Sequence, residues 1–188
     1  MKKYRTILAD PPWGKDNFGR KILSHYPLMS DDDICNLPVK SIADDNCVLI
    51  LWSTWTHLKT ALRVIESWGF DYVTGFPWIK LQEPPMVDLF GEFRFRPTWG
   101  LGSWVRGCSE PILIGKRGDV SPDPTVNFLG LMSKRLQHSR KPENIYEYAN
   151  SFTGPHVELF ARRPVDGWDV WGNEVESDES ITKALSGC

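Results

Sequence analysis

The sequence predicts an α/β fold built on a mixed or mostly parallel central sheet. Three observations carry that prediction. Apolar runs recur at Thr6–Ala9, Cys47–Trp52 and Pro111–Ile114, continuous rather than alternating, as strands covered on both faces read. Capped or amphipathic segments of helical spacing fall between them. Strand and helix signals therefore alternate along the chain, which calls for crossover connections and parallel neighbours.

Taken in order, Thr6-Ile7-Leu8-Ala9 forms the first strand, and Asp10-Pro11-Pro12 ends it because proline supplies no N–H and fixes φ. A residue before proline is driven to extended backbone, so Asp10 is held at the strand's carboxyl end. Ser30-Asp31-Asp32-Asp33 reads as a capping box opening a short helix through Leu37, which Pro38 stops. Cys47–Trp52 is a central strand, with Cys47 a buried thiol. Thr56 caps a helix to Trp68 that sets Leu58, Leu62 and Ile65 on one face and ends at Gly69. Asp71–Lys80 alternates as another strand. Residues 81–107 mix Pro, Gly, Arg and aromatics without a period, and a loop this long within a compact domain is functional or mobile. Pro111–Ile114 is a strand, and residues 115–133 form a second irregular segment. Pro142 opens a helix to about Phe152, and Val157–Phe160 and Trp168–Trp171 are the last strands. A single domain over residues 1–174 is expected, followed by a flexible acidic tail over 175–188.

A chain of 188 residues is long enough to bury one core without disulfides. Its 22 Lys and Arg against 24 Asp and Glu give a net charge of −2, which argues against a module that coats nucleic acid by phosphate neutralisation alone. The basic residues cluster, however. Arg94, Arg96 and Arg106 lie together, followed by Lys116 and Arg117, and Lys134, Arg135, Arg140 and Lys141 make a second group. A basic rim on a mildly acidic body follows. Cys35, Cys47, Cys108 and Cys188 have no CxxC spacing, which speaks against zinc or a disulfide framework. No apolar run approaches the roughly 20 residues that span a bilayer, so a cytoplasmic protein without membrane contact is expected.

The chemistry concentrates at Asp10-Pro11-Pro12-Trp13. Asp-Pro alone marks a turn, and a lone Trp is core. Behind a β-branched strand the tetrapeptide offers more: a carboxylate acceptor, a proline carbonyl outside the ladder and a flat apolar face. In open α/β sheets that edge binds ligands. The set suits a planar heterocycle bearing an exocyclic NH2, an aminated nucleobase. Downstream, Glu158 and Arg162 flank one strand end, and Asn173 and Glu174 close the next, where such side chains take ribose hydroxyls and a base. Lys141, just before a helix, suits a carboxylate. Read singly, these are a capping Lys, a surface turn and an ion pair. Together, a nucleoside at one end and a carboxylate at the other fit S-adenosylmethionine. Neither GxGxxG nor GxxxxGK[ST] occurs, so dinucleotides and triphosphates lack their glycine loops.

Over nearly its whole length the chain resembles the adenine-N6 methyltransferase family of the mRNA N6-adenosine methyltransferase catalytic subunit, in a stand-alone bacterial or phage form. The matching segments are Ala9–Trp13, Tyr26–Asp33, Leu37-Pro-Val39, Leu51-Trp52, Trp68-Gly-Phe70, Trp78-Ile-Lys80, Ser139–Pro142, Glu158–Arg162 and Trp171-Gly-Asn173. The resemblance implies a Rossmann-like methyltransferase fold in permuted order, with the catalytic tetrapeptide before the cofactor strand. It implies that Asp10, Pro11, Pro12 and Trp13 hold the target adenine, with Tyr26 and Trp104 lining its pocket. It also implies Lys141 as ligand of the methionine carboxylate, Arg162 and Glu174 as ribose contacts and Asn173 as a nucleoside contact. Two positions depart from the family pattern: Arg163-Pro164-Val165-Asp166 lacks a His-Asn pair, and Glu174 replaces a Gln.

The expected reaction is methyl transfer from S-adenosylmethionine to adenine N6 in nucleic acid, DNA before RNA. The 81–107 loop, with Arg94, Arg96, Trp99 and Trp104, is the expected grip on a base that is flipped out or single-stranded. The alternatives are an RNA adenosine methyltransferase and a catalytically silent subunit that binds nucleic acid or another methyltransferase. A second copy or an accessory subunit is the protein partner to look for.

Overall fold

A computed structural model of the chain describes residues 2–14, 28–82, 86–94, 96–98, 100, 104–126, 128–134 and 141–186. Its elements run β1 (Tyr4–Ala9), α1 (Asp31–Asn36), β2 (Ala43–Trp52), α2 (Leu58–Ser67), β3 (Asp71–Leu81), β4 (Met86–Val87), β5 (Phe93–Arg94), β6 (Ser109–Arg117), β7 (Leu131–Lys134), α3 (Ile145–Ala149), β8 (His156–Leu159), β9 (Asp169–Trp171) and α4 (Glu179–Leu185). Among the described residues, seven strands form one sheet in the order β7-β3-β6-β2-β1-β8-β9. Every neighbouring pair is parallel except the two that β6 makes with β2 and β3. The sheet is mostly parallel, as the unbroken apolar runs predict.

Alternation along the central strands divides the core into two layers. Ile7, Ala9, Leu49, Leu51, Val157 and Leu159 face Ile34 of α1, Ala61, Val64 and Ile65 of α2, and Ile181 of α4. Leu8, Val48, Ile50 and Trp52 face the other way, towards Ile145 and Ala149 of α3 and Trp168. Helices on both faces explain why β1 and β2 carry no polar alternation. Polar bonds pin the first layer: the fully buried Trp68 donates its indole N–H to the Ile34 carbonyl at 2.8 Å, and Thr60 bonds Asp31 at 2.9 Å. The predicted capping box of α1 is present, with Ser30 Oγ accepting the Asp33 N–H at 3.1 Å. Gly69 ends α2 in the left-handed region at φ +83°.

Four expectations are corrected. The helix after β2 is capped by Thr54, which is extended and accepts the His57 N–H, and a 3-10 turn over Trp55–His57 precedes α2. The helix expected from Pro142 to Phe152 is α-helical only over Ile145–Ala149. Its ends are wound by tighter bonds, Tyr146 N–H to the Glu143 carbonyl and Phe152 N–H to the Ala149 carbonyl. The segment after residue 115 is not irregular throughout, because β7 pairs parallel with the end of β3. Only Leu131 of β7 is buried, so no apolar run announces the strand. The acidic tail is not loose at residues 179–185 either. Asp178 accepts the Ser180 and Ile181 N–H groups, and α4 buries Ile181 and Leu185 in the core. Acidic residues that read as a tail are the cap and first turn of a docked helix.

Topology fixes what meets at one edge. β1 and β3 run the same way and β6 runs against them, so Asp10 after β1, Lys80 near the end of β3 and Glu110 at the start of β6 share the carboxyl edge of the sheet.

Candidate active site

At that edge four charges alternate in sign. Lys141 Nζ lies 3.1 Å from Asp10 Oδ1 and 3.1 Å from Glu110 Oε2, and the other Glu110 oxygen receives Lys80. The ammonium groups also lie over rings, Lys141 at 4.9 Å from the Trp52 centroid and Lys80 at 4.8 Å from that of Trp78. All four side chains are at least three-quarters buried, so each charge needs its neighbours. Burial is the main reason the Asp10 carboxyl sits above its ordinary range; Lys141, and more weakly Arg162, pull it back, while Glu110 adds to the rise. Burial would also raise Glu110, but Lys141 and Lys80 outweigh it and hold that carboxyl low. Lys141 is raised against the effect of burial by its two carboxylates, so it stays a cation.

The proline corner differs from expectation in one respect. The Pro11 carbonyl accepts the Trp13 N–H at 2.8 Å, and the Pro12 carbonyl accepts the Met29 N–H at 3.2 Å. Neither is unused, and each keeps one lone pair for a further donor. Trp13 is 7% exposed, donates its indole N–H to the Trp52 carbonyl at 3.2 Å and stacks on His57 at 5.7 Å. It braces the corner from beneath.

Beside Asp10 opens a cleft lined by Asp10, Pro12, Met29, Phe160, Arg162, Trp171, Asn173 and Glu174, together with Ala161 and Gly172. The ends of β8 and β9 build it. Phe160 adopts φ 63°, an uncommon conformation for a large side chain, and so turns Ala161 and Arg162 out of the strand. Ala161 N–H then bonds the Trp171 carbonyl at 2.9 Å, joining the two strand ends. Gly172 makes the approach possible, since a Cβ there would sit 2.2 Å from the Ala161 carbonyl oxygen. Ser177 Oγ accepts the Gly172 N–H at 3.0 Å and closes the turn that carries Asn173 and Glu174.

The structure therefore gathers Asp10, Pro12, Arg162, Asn173 and Glu174 around one cleft. Lys141 borders it through Asp10. Glu158 is engaged elsewhere: the Tyr146 hydroxyl donates to its Oε2 at 2.7 Å, and burial pushes its carboxyl up to about 7, against the lowering effect of Tyr146. Trp104 is 90% exposed at the surface, Arg94 bonds Asp88 at 2.9 Å, and Arg96 is exposed. Tyr26, Trp99, Arg135 and Arg140 lie outside the described residues. Sequence reasoning missed Glu110, Lys80, Met29 and Phe160 as site residues. For Glu110 and Lys80 the available signal is a charged side chain at the end of an otherwise buried strand.

Apolar walls at Phe160, Trp171 and Met29, with a polar rim of Arg162, Asn173 and Glu174, fit a nucleoside-bearing ligand. A mostly parallel α/β sheet with this cleft at its carboxyl edge is the architecture of a ligand-binding α/β domain. The chain belongs to the MT-A70 family, whose model matches residues 4–174. It is 29% identical to the type II methyltransferase M.MunI of Mycoplasma sp, over 95% of this chain and 80% of that protein. It is 30% identical to the human N(6)-adenine-specific methyltransferase METTL4, over 93% of this chain and 38% of that one. Against the N6-methyladenosine RNA methyltransferase MTA1 of Pyricularia oryzae the figures are 27%, 92% and 47%. The chain thus spans most of the first relative and under half of the other two. Among the described residues no helix is long and apolar enough to cross a membrane.

Proposed function

We propose that this chain transfers the methyl group of S-adenosylmethionine to the N6 amine of adenine in nucleic acid, DNA before RNA. The observation that carries the reading is a buried carboxylate, Asp10, kept next to a cation and lining a cleft with apolar walls and a polar rim. The names of the relatives support adenine as the target. DNA is placed first because the relative spanned most fully is a type II methyltransferase, whereas the RNA methyltransferase is spanned over under half its length.

S-adenosylmethionine supplies a methyl group activated on a sulfonium. In this reading Glu174 and Arg162 take ribose hydroxyls, Asn173 the nucleoside, and Lys141 the carboxylate. Phe160 and Trp171 exclude water from the apolar part of the cleft. Asp10 does the chemistry's electrostatic work. An adenine amine is a poor nucleophile because its lone pair is conjugated with the ring. Accepting one N–H at the Asp10 carboxylate, and the other at a proline carbonyl's remaining lone pair, favours a pyramidal nitrogen and stabilises the positive charge that grows there. Asp10, accepting an N–H of that amine, can also receive the proton the methylated amine sheds. Lys141 lowers the Asp10 carboxyl against the effect of burial and so favours the ionised form that both duties need.

The test is to incubate the protein with labelled S-adenosylmethionine and separate pools of double-stranded DNA, single-stranded DNA and RNA, then digest to nucleosides. N6-methyladenine is expected, most from DNA. Asp10→Ala should abolish it while leaving cofactor binding largely intact. Absence of the modified base from all three pools overturns the reading.

A further inference from the structure

Within the loop that reads as irregular, residues 86–94 form a closed finger. Val87 pairs with Phe93 across β4 and β5, the Asp88 N–H bonds the Glu92 carbonyl at 3.0 Å, and the Gly91 N–H returns to the Asp88 carbonyl at 3.0 Å. Gly91 takes φ +80°, the left-handed residue that closes a three-residue hairpin loop. The Asp88 carboxylate then fixes the turn three times over. One oxygen accepts the N–H groups of Phe90 and Glu92 at 2.9 and 3.0 Å, and the other accepts Arg94 Nε at 2.9 Å.

What this turn holds out is apolar. Leu89 is 100% exposed and Phe90 is 89% exposed. Turn positions ordinarily carry Gly, Asn, Asp or Ser. Neither side chain packs on the chain's own core, so folding gives no reason for them, and adjacent exposed large apolar residues mark a contact surface. Two features say what is contacted. The stem grows from the site: the Gln82 N–H bonds the Arg96 carbonyl at 2.8 Å, and the Thr98 N–H bonds the carbonyl of Lys80, whose ammonium leads through Glu110 and Lys141 to Asp10. Exposed Arg96 and Arg106 lie along the same excursion, where Arg94 pairs with Asp88 and Glu92 is the one other acid among the described residues. An apolar tip on a basic stem suits a stacked, polyanionic partner.

We propose that Leu89 and Phe90 are a wedge that enters a nucleic-acid duplex and fills the gap left when the target adenine turns out of the stack towards Asp10. The inference rests on the proposed function and adds the element that opens a double strand. Apolar side chains between base steps are an established means of unstacking, and an extruded base leaves a cavity of matching height.

The test is a Leu89→Ser/Phe90→Ser double variant, which removes no core contact. Wild type first maps a methylated adenine in a DNA duplex; variant and wild type are then compared on that duplex, on the single strand alone, and on a duplex with 2-aminopurine at the mapped position. The variant should lose at least about tenfold in kcat/KM on the duplex, keep its single-strand rate within about twofold, and lose the 2-aminopurine fluorescence rise. Unchanged duplex rate and fluorescence overturn the wedge. An equal loss on both substrates overturns it too, in favour of a general grip, and so does a changed oligomeric state by sedimentation with duplex activity intact. A wild type active only on single strands excludes the wedge while leaving the proposed function standing. A wild type inert on every nucleic acid removes the proposed function itself, and the wedge with it.

Discussion

Lys141 holds Asp10 at 3.1 Å and is itself held at 3.1 Å by Glu110, so the carboxyl that faces the cleft is paired with a cation balanced from behind. Burial pushes the Asp10 carboxyl up, and Lys141 is the main group that pulls it back. The sheet supplies a counterion from a segment 131 residues away and a second acid to keep that counterion in place.

Lys141→Met should therefore shift the acid limb of activity. In the proposed mechanism Asp10 works as the ionised acceptor, so rate should rise as pH passes its pKa. Removing the nearest cation raises that pKa further and moves the limb to higher pH, with a loss of roughly tenfold or more near neutrality that partly recovers in base. The profile of kcat/KM against pH checks it. A limb that stays put while cofactor affinity alone weakens would confine Lys141 to binding the cofactor.

Glu110→Ala should cost stability more than its partial exposure suggests. It leaves Lys141 and Lys80 side by side without the carboxylate that both share. Breaking a largely buried charge set in this way costs roughly 3 kcal/mol, and Glu110→Gln, which retains an acceptor, should cost less. Urea unfolding of the two variants measures the difference; equal midpoints to wild type would show that the lysines find water instead.

These residues also show which parts of the site the sequence displays. Asp10 is legible because its strand, its two prolines and its charge are contiguous, and Arg162, Asn173 and Glu174 because each follows a short apolar strand. Glu110 and Lys80 are 30 residues apart and meet only through the antiparallel register that sets Trp78 opposite Glu110. No local pattern encodes that. The finger over residues 86–94 escapes for a related reason: two-residue strands have no period, and side-chain bonds of Asp88 reinforce the main-chain bonds that close it. Trp13 was legible as to position, but its burial against His57 and Trp52 depends on partners about 40 residues downstream.

Gly172→Ala should disturb the cleft selectively. The added Cβ would lie 2.2 Å from the Ala161 carbonyl oxygen and 2.7 Å from its nitrogen, both main chain, so no side chain can swing aside. The two strand ends must separate, at roughly 1–3 kcal/mol, and S-adenosylmethionine affinity should fall with them. Gly167→Ala is the control. Its φ of +76° carries a conformational cost of about 1–2 kcal/mol, but nothing lies within 4 Å of its Cβ, so cofactor affinity should hold. Calorimetric titration with the cofactor separates the two; equal losses of affinity would detach the cleft from the Gly172 contact.

Glu158 gives the protein a pH-dependent stability with a definite sign. Its folded carboxyl titrates at about 7, whereas the unfolded one titrates near its ordinary 4.5. Between those values the folded state carries the extra proton. The contribution is fully present below the lower value and is lost as pH rises through the upper one, so unfolding free energy falls across that window and levels off above it. Glu158→Gln keeps an acceptor for the Tyr146 hydroxyl and removes the titration. The stability difference between variant and wild type should then change by on the order of 2 kcal/mol between about pH 5 and about pH 8, the variant gaining at the upper end. Urea unfolding at several pH values reads this directly, and taking the difference removes the titrations that do not touch Glu158; the Asp10 charge, which helps to raise Glu158, is part of the effect measured. A difference that stays constant with pH would mean that Glu158 is ionised throughout and that the Tyr146 hydroxyl, not a proton, satisfies it.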